Sequence, residues 1–248
     1  MTEQPLISLI TVTFNAADTI SKTLESIQQQ NYKDFEHLVI DGASGDNTLD
    51  IIKKYNLPQT IVVSEPDKGL YDAMNKGLRR AKGKYVLFLN AGDTFHSSET
   101  LARYAEACTL NRDIIYGETD IVNDKGEKIS DRHLSVPGIL TKKSFLNGML
   151  ICHQSFMVKK SLAPEYDLAY RLSSDYDWTI KCIACSNPDN CMNLHEVTID
   201  FLSDGMSDKN KWASLKERFI IMKRHYGLIP TIYKHISFIP RAIRRGKI

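Results

Sequence analysis

Polar, turn-forming residues follow four hydrophobic runs in the first hundred residues of this 248-residue chain. The four segments are TVTFN (11–15), DGASGDNT (41–48), SEPDKGLYDAMNKG (64–77) and LFLNAGD (87–93). In an open α/β sheet the carboxyl ends of parallel strands face one crevice. Carboxylates and asparagines placed directly after such strands converge there, so we expect all four segments to contribute to one ligand site.

Two of these segments carry carboxylates at positions that favour contact with a ligand. Asp41 stands between an apolar run and a glycine, which lets a ligand approach the backbone. Asp72 and Asn75 are three residues apart on a predicted helix, so they share a face and can address one ligand. Turn formation is the alternative role for Asp41, and helix capping is the alternative for Asp67 and Asp72. For Asp46 we favour capping of the next helix.

An alternation of strands and helices must position these segments. β-Branched and apolar runs predict strands at 7–14, 37–40, 60–63 and 85–89. Apolar residues at helical spacing predict helices at 18–30, 48–55, 71–81 and 98–108. This order predicts an α/β fold with a largely parallel sheet that helices cover on both faces.

The pattern changes after residue 111 and predicts a mixed α/β second half. Short strands are predicted at 113–116, 119–122 and 128–130, with a hairpin turn at 123–126. Further strands are predicted at 148–158 and 197–202, and a helix at 173–184. A helix is also predicted at 212–226, followed by a helical segment that Pro230 and Pro240 break.

The charge of the chain is divided unevenly. Residues 209–248 contain eleven Lys and Arg and one acid, a balance of +10, whereas residues 1–208 carry −8. Aromatic and aliphatic residues stand among the cations of this tail, as in amphipathic segments that lie on anionic membranes. No recognised nucleic-acid-binding module accompanies the charge. We therefore expect a peripheral contact with a membrane surface and no nucleic acid partner, with a solvated helix as the alternative.

Composition predicts a cytoplasmic protein. The chain is 42% hydrophobic and 25% charged, and no apolar run approaches the ~18 to 20 residues of a membrane helix. The first apolar run has no basic region before it, which favours a strand over a signal peptide. Five cysteines without a disulfide-like framework fit a reducing compartment. A zinc site at Cys182, Cys185 and Cys191 is the less favoured alternative, because a fourth ligand at suitable spacing is missing.

Absent and present motifs together indicate a family. No G-x-G-x-x-G follows the first strand and no G-x-x-x-x-G-K-[ST] occurs, which disfavours dehydrogenases and P-loop kinases. The motifs that are present resemble those of family 2 glycosyltransferases, inverting enzymes of the GT-A fold that include bacterial capsule, exopolysaccharide and colanic-acid-type transferases. The resemblance covers about residues 5–226 and depends on the four segments above with HQ (153–154), SSDYDW (173–178) and DGMS (204–207).

The resemblance implies a site for a nucleotide-sugar donor, expected to be a UDP-sugar. It implies that Asp41 contacts the base of the donor. It also places Asp67, Tyr71 and Asp72 beside the nucleotide and the sugar. The other residues expected in the donor site are Thr13, Phe14, Asn15, Ser44, Asn75, Lys76, Asn90, Ala91 and Gly92.

The NAGD turn (90–93) occupies the position of the family's metal-binding acidic motif. The resemblance therefore implies that Asp93 is a ligand of Mn²⁺ or Mg²⁺, which stabilises the negative charge of the leaving nucleoside diphosphate. Asn90 and Gly92 stand where the family often has acids, so we expect the ion to depend also on the donor's phosphates. Metal independence and a simple polar turn are the alternatives.

Inversion requires a base that removes the proton of the acceptor hydroxyl. The family supplies a carboxylate at the start of a late helix, and Asp175 of SSDYDW matches it best, with Asp177 as the runner-up. Residues two apart on a helix diverge by about 200°, so only one is expected to face the crevice. An acidic first turn that the helix dipole stabilises is the alternative. His153 and Gln154 are weaker candidates for the acceptor region, and a core histidine is the alternative for His153.

These observations predict a single GT-A domain over residues 1–208, with a basic helical extension over 209–248. Within the domain, residues 1–110 form the nucleotide-sugar-binding half and residues 111–208 the acceptor and catalytic half. The predicted activity is hexosyl or N-acetylhexosaminyl transfer to a glycan or lipid-linked acceptor in bacterial surface polysaccharide biosynthesis. One rival is a nucleotidyltransferase, which normally has a Gly-rich phosphate loop where this chain has TFNAADT. The other is a non-catalytic nucleotide-binding relative. This alternative remains because the NAGD segment has fewer acidic residues than the family's metal-binding motif.

Overall fold

The predicted alternation of strands and helices is present in the computed structural model, which describes residues 4–132, 134–203 and 210–243. Within these residues nine strands form one mixed sheet. The strands are β1 (Ile7–Thr13), β2 (Phe35–Asp41), β3 (Thr60–Ser64), β4 (Tyr85–Phe88), β5 (Thr94–Phe95), β6 (Ile114–Val122), β7 (Lys128–Asp131), β8 (Phe156–Lys159) and β9 (Cys191–Leu202). The α-helices are α1 (Ile20–Gln28), α2 (Thr48–Tyr55), α3 (Leu70–Arg80), α4 (Thr100–Thr109), α5 (Ser174–Ala184), α6 (Lys211–Tyr226) and α7 (Leu228–Ile243).

The strand order separates a parallel half of the sheet from a mixed half. The order is β3-β2-β1-β4-β8-β6-β9-β5, and β7 pairs with β6 outside this path. The first four strands run parallel, as predicted. Strand β8 is antiparallel to both neighbours, β9 is parallel to β6, and β5 is antiparallel to β9. Because β1 lies between β2 and β4, the carboxyl ends of these strands are adjacent.

Helices cover both faces of the sheet, which agrees with the nearly continuous apolar runs of its central strands. On one face α3 and α5 pack around Phe88 and Trp178. On the other face α4 packs around Leu87 and Tyr104. Alternate residues of β4 point to opposite faces, so consecutive side chains of one strand enter different cores. Each of these fully buried side chains stabilises the fold by ~1.5 to 3 kcal/mol, which holds the strand ends in fixed positions.

The mixed half of the sheet differs from the prediction in four strands, of which β9 begins at Cys191 instead of the predicted residue 197. The two strands predicted at 113–122 are one continuous strand, β6. Gly117 interrupts the apolar strand pattern in the sequence. The structure needs glycine there, because a Cβ atom would lie 2.5 Å from Cγ2 of Thr198 on the neighbouring strand. The strand predicted at 148–158 is confined to β8, because a 3₁₀ turn at His153–Ser155 precedes it. Strand β5 has only two residues, too few to show a period, and was not predicted.

The tail contains two helices that pack on the domain. Pro230 does not break α7, because it lies in the first turn, where its missing N–H has no intrahelical acceptor. The helix also continues through Pro240. Helix α6 buries Ile221 and Met222 in the core that contains α5. No helix in the described ranges is long and apolar enough to cross a bilayer. The DGMS motif lies outside the described residues, and the division of the chain at residue 208 stays a prediction.

Candidate functional site

The carboxyl ends of β3, β2, β1 and β4 meet at one edge of the sheet and bring the four predicted segments together. Thr13 pairs with Asp41, and Asp41 pairs with Ser64, in the register of the parallel strands. The N–H of Ala91 donates to the carbonyl of Val12 (3.3 Å), so the NAGD turn follows β4 along the end of β1. We call this surface, formed by residues 13–15, 41–46, 64–72 and 90–93, the polar edge.

Asp41 is fully buried at the polar edge, and neutral donors hold its carboxylate. Oδ2 accepts hydrogen bonds from the backbone N–H of Ser44 (3.0 Å) and from the hydroxyl of Ser64 (2.6 Å). Oδ1 accepts a hydrogen bond from the hydroxyl of Ser44 (2.5 Å). Oδ1 accepts one of these three hydrogen bonds and keeps a second lone pair for a ligand group. The predicted contact with the donor's base stays a prediction.

Asn15 joins the loop after β1 to the loop after β2. Its N–H donates to the hydroxyl of Ser44 (2.8 Å), and its Oδ1 accepts from the N–H of Gly45 (2.9 Å). Asn15 has a φ of 48°, a left-handed conformation that Asn adopts more readily than most residues. The neighbouring ring of Phe14 is 62% exposed, and an exposed aromatic face suits stacking on a planar ligand.

Three carboxylates order the turns of the polar edge. Oδ1 of Asp46 accepts the N–H of Thr48, the first residue of helix α2 (3.0 Å), but the N-cap is Asn47 and no side chain caps the helix, so the prediction that Asp46 is the cap is wrong. Oδ1 of Asp67 accepts the N–H of Gly69 (2.8 Å), and Oδ2 of Asp72 accepts the N–H of Lys68 (3.0 Å). Helix capping, the alternative considered for Asp67 and Asp72, is not borne out, because the N-cap of α3 is Gly69 and no side chain caps the helix; the two carboxylates instead order the loop that precedes α3.

Gly42 is required because Asp67 and Phe14 lie close to its backbone. A Cβ atom at residue 42 would lie 2.5 Å from Oδ2 of Asp67 and 3.2 Å from Cδ2 of Phe14. We expect Gly42→Ala to displace both side chains and to weaken nucleotide binding about tenfold, ~1.4 kcal/mol, in isothermal titration calorimetry. Gly45→Ala is the matched control, because a Cβ atom there meets no described atom within 4 Å. Equal nucleotide affinities of the two variants would show that Asp67 and Phe14 do not contribute to the nucleotide site.

Two predicted donor-binding residues of α3 form hydrogen bonds or ion pairs with other residues of the protein. The amide of Asn75 is buried and pairs with the backbone of Tyr166, donating to its carbonyl (3.0 Å) and accepting from its N–H (2.7 Å). Nζ of Lys76 donates to the carbonyl of Pro66 (2.6 Å) and lies 3.4 Å from the carboxylate of Glu65. These contacts explain both side chains structurally, and their donor contacts stay predictions.

Hydrogen bonds of the buried residue Asp93 hold the NAGD turn in place. Oδ1 accepts the N–H of Leu202 at the end of β9 (3.0 Å), and Oδ2 accepts a hydrogen bond from Nε2 of Gln154 (2.8 Å). The hydroxyl of Thr23 donates to the carbonyl of Asp93 (2.8 Å) and accepts the N–H of Gly92 (2.9 Å). Burial raises the pKa of Asp93 to about 7, because these neutral donors only partly offset desolvation. Asp93 thus links the two halves of the sheet.

The chemistry of the NAGD turn fits a hard divalent cation. Oδ1 of Asn90 is buried and has no hydrogen-bond partner in the part of the chain that the structure describes. Each oxygen of Asp93 accepts one N–H and keeps a second lone pair. Amide and carboxylate oxygens are the ligands that Mg²⁺ and Mn²⁺ prefer. Asn90, predicted to contact the donor, therefore becomes a second candidate ligand for the ion.

A further group with metal-ligand chemistry was not predicted, because its members are distant in the sequence. Ligand atoms of His96, Asp120 and Asp200 lie within 4.8 Å of one another. Nδ1 of His96 lies 2.8 Å from Oδ1 of Asp200, and Nζ of Lys128 lies 2.8 Å from Oδ1 of Asp120. These internal pairs account for the group without an ion.

Asp175 lies in the first turn of α5, opposite the start of α3. The hydroxyl of Tyr71 donates a hydrogen bond to Oδ1 of Asp175 (3.1 Å). Burial and the nearby charge of Asp175 raise the pKa of Tyr71 well above its usual range, so the phenol stays protonated and donates. Asp175 itself is partly exposed. The structure therefore brings the predicted base to the helix that begins at the polar edge.

Asp177 points away from Asp175 and is fully buried. Its Oδ1 lies 2.6 Å from Nε2 of His225 on α6, and its Oδ2 lies 2.5 Å from Nζ of Lys181. Burial alone would raise the pKa of Asp177, but the hydrogen bonds from His225 and Lys181 outweigh burial and lower it. Asp177 thus forms an ion pair with Lys181 within α5 and a hydrogen bond with His225 of α6, and this structural role favours Asp175 over the runner-up as the base.

The structure gives different surroundings to His153 and Gln154. Gln154 contacts Asp93, as described above, and its Oε1 accepts from the thiol of Cys152 (3.1 Å). His153 is a buried core residue whose Nε2 lies 2.6 Å from the hydroxyl of Tyr166. Burial lowers the pKa of His153 to about 4, which keeps the ring neutral. Their placement in the acceptor region stays a prediction.

The structure has an α/β glycosyltransferase fold of the GT-A type. Its parallel strands end in polar segments, and a late helix carries a carboxylate. The chain belongs to glycosyl transferase family 2, whose pattern matches residues 8–166.

Two bacterial relatives resemble the chain over most of its length. A PGL/p-HBAD biosynthesis glycosyltransferase of Mycobacterium tuberculosis is 34% identical over 192 residues, covering 74% of this chain and 71% of the relative. The putative teichuronic acid biosynthesis glycosyltransferase TuaG of Bacillus subtilis is 24% identical over 226 residues, covering 89% of this chain and 88% of the relative.

Solved structures share the fold. S. aureus TarS in complex with UDP-GlcNAc superposes with a TM-score of 0.71 at 18% identity, covering 94% of this chain and 73% of that chain. The mannosyltransferase PcManGT from Pyrobaculum calidifontis, in complex with GDP-Man and Mn²⁺, gives 0.61 at 16% identity, covering 96% and 76%.

Proposed function

We propose that this chain moves a sugar from a UDP-sugar to a glycan or lipid-linked acceptor of the bacterial cell surface, with inversion at the anomeric carbon. The main structural support for this proposal is the hydrogen bond between Tyr71 and Asp175. It holds a partly exposed carboxylate next to the helix that begins at the polar edge, and an inverting transferase needs a base at that location.

The polar edge binds the nucleotide of the donor. The loops that contain Asn15, Ser44 and Asp67 hydrogen-bond to one another or to their own backbone, so they are ordered before the ligand arrives. Such preorganisation reduces the conformational entropy that binding costs. Phe14 stacks on the base, and Asp41 accepts an N–H of the base through the remaining lone pair of Oδ1. We propose UDP as the nucleotide of the donor because the TarS structure, which shares this fold, contains UDP-GlcNAc.

Asn90 and Asp93 are the residues that would hold Mn²⁺ or Mg²⁺ at the NAGD turn, together with phosphate oxygens of the donor. The bound cation would neutralise the charge that develops on the leaving diphosphate. The presence of Mn²⁺ in the PcManGT complex supports this part of the proposal. Gln154 and the N–H of Leu202 orient the carboxylate of Asp93, so they fix the direction of its remaining lone pairs.

Asp175 acts as the general base. Its carboxylate accepts the proton of the acceptor hydroxyl while the hydroxyl oxygen attacks the anomeric carbon opposite the leaving diphosphate. Tyr71 keeps the carboxylate oriented through the hydrogen bond to Oδ1, which leaves Oδ2 for the acceptor. Asp177 takes no part in the reaction, because its two oxygens are paired with His225 and Lys181.

The acceptor is a growing surface glycan, and the reaction takes place at the cytoplasmic face of the membrane. The names of the M. tuberculosis and B. subtilis relatives, which refer to PGL/p-HBAD and teichuronic acid biosynthesis, support this class of product. An acceptor attached to a lipid would be presented at the membrane surface, where a peripheral enzyme meets it.

A thermal-shift panel tests the donor assignment. We expect UDP and one UDP-sugar, with Mn²⁺, to raise the midpoint of unfolding, whereas GDP, CMP and dTDP have smaller effects. A ligand at 100 times its dissociation constant adds ~2.7 kcal/mol, a rise of roughly 5 to 11 °C for a chain of this size. A rise that is equal without Mn²⁺ would contradict the cation site. No rise with any nucleotide, in a folded protein, would overturn the proposal.

A further inference from the structure

Helix α7 carries an apolar stripe that the domain does not cover. Ile229, Ile232, Tyr233 and Ile236 are 82%, 43%, 70% and 61% exposed, respectively. Their spacing of i, i+3, i+4 and i+7 places all four side chains on one face of the helix. We call these four residues the apolar stripe. Exposed apolar side chains that form a continuous surface indicate an interaction site rather than an ordinary solvated helix.

The domain fixes the orientation of the apolar stripe. Another face of α7 packs on α6, where the rings of Phe219 and His235 lie 5.0 Å apart between centroids. Thr231 is fully buried, and Nζ of Lys234 donates to Oδ1 of Asn147 in the domain (2.8 Å). Because α7 already has an internal packing face, the stripe is a second apolar face that points outward.

The net charge of the tail indicates which partner the stripe binds. The tail has a balance of +10, and its one acid, Glu217, is used internally. The carboxylate of Glu217 accepts the backbone N–H groups of residues 171, 172 and 173, each at 2.9 Å, and so orders the segment before α5. The tail therefore combines a net positive charge with exposed aliphatic side chains, the combination that binds anionic lipid surfaces.

Two other occupants fit less well. A symmetric tail-to-tail contact with a second copy of the chain would bring together two tails of the same sign, which repel. A nucleic acid would use the cations and aromatic rings, but isoleucines do not read phosphates or bases. The balance of −8 on residues 1–208 also repels an anionic leaflet and leaves the tail as the side that approaches it.

We infer that the apolar stripe of α7, together with the net positive charge of the tail, docks the protein on an anionic membrane leaflet. This inference goes beyond the transfer reaction and does not depend on it. The docking element is continuous with the site, since α6 contacts both α7 and, through His225 and Asp177, the helix that carries Asp175. A docked chain would therefore hold its base at a fixed distance from the membrane surface.

Vesicle flotation with the full chain tests the inference. We expect at least tenfold tighter binding to phosphatidylglycerol-containing vesicles than to pure phosphatidylcholine, and weaker binding in 0.5 M salt. The double variant Ile229→Ser/Ile236→Ser should lose at least tenfold in binding. The control, Ile61→Ser/Ile139→Ser, changes two isoleucines that are 49% and 75% exposed elsewhere, and should bind like the wild type.

Three results would overturn the inference. The first is equal binding to the two vesicle types, and the second is stripe-variant binding that equals the wild type. The third is a wild-type dimer in light scattering that the stripe variant converts to a monomer, without vesicle binding by either. None of these readouts uses sugar transfer, so failure of docking is separate from failure of the proposed reaction.

Discussion

Asp175→Asn is expected to lower the rate of sugar transfer by a factor of ~10² to 10⁴. Asparagine has the same shape and still accepts the hydrogen bond from Tyr71, but its amide cannot take the proton of the acceptor hydroxyl. Donor affinity should remain within about twofold of the wild type, because Asp175 lies on α5 and the nucleotide contacts lie on the loops after β1 to β4. Transfer is measured as the steady-state rate, and donor affinity by calorimetry.

The combination of readouts separates a base from a structural residue. A structural role would lower donor affinity or the midpoint of unfolding together with the rate. Wild-type turnover in Asp175→Asn would reject Asp175 as the base.

Asp177→Ala is expected to destabilise the protein by about 3 kcal/mol, although it is only two residues from the base. The substitution removes a buried carboxylate and leaves the side chains of Lys181 and His225 without their partner. For a chain of this length the midpoint of unfolding should fall by roughly 6 to 12 °C. Differential scanning calorimetry measures the change, and Asp175→Asn is the matched control, with an expected change below about 2 °C.

The pH dependence of this destabilisation has a defined sign. The pKa of Asp177 is lowered in the folded state, so the carboxylate stabilises the fold above the ordinary aspartate range, near pH 4. That contribution is lost as the pH falls through the lowered pKa. The difference in midpoint between wild type and Asp177→Ala should therefore be largest near neutral pH and decrease in acid. A difference that is constant from about pH 7 to 3 would exclude the ion pair as its source.

The sequence was sufficient to predict the parallel half of the fold, because strand and helix periods there coincide with local turn chemistry. Thr48–Tyr55 was predicted with its observed bounds, and the polar edge forms where the ends of the predicted strands meet. The helical period also predicted that Asp175 and Asp177 lie on different sides of α5, because a helix turns residues two apart away from each other. Each of these inferences needs only local spacing.

The parts that sequence could not supply depend on contacts between distant residues. The pairing of Asn75 with Tyr166, and of Asp93 with Gln154 and Leu202, cannot be read from local patterns. Strand β6 is continuous through Gly117 because a neighbouring strand lies too close for a side chain. These tertiary contacts decide which polar residues serve the fold and which remain for a ligand.

The central claim, an inverting transfer with a single base, is tested most directly by proton NMR of slow donor hydrolysis. With an α-linked UDP-sugar and no acceptor, water takes the place of the acceptor hydroxyl, and Asp175 activates it. The account predicts that UDP release is accompanied first by the β-anomer of the free sugar, before mutarotation. Initial release of the α-anomer, or no UDP release by a protein that binds UDP, would contradict it.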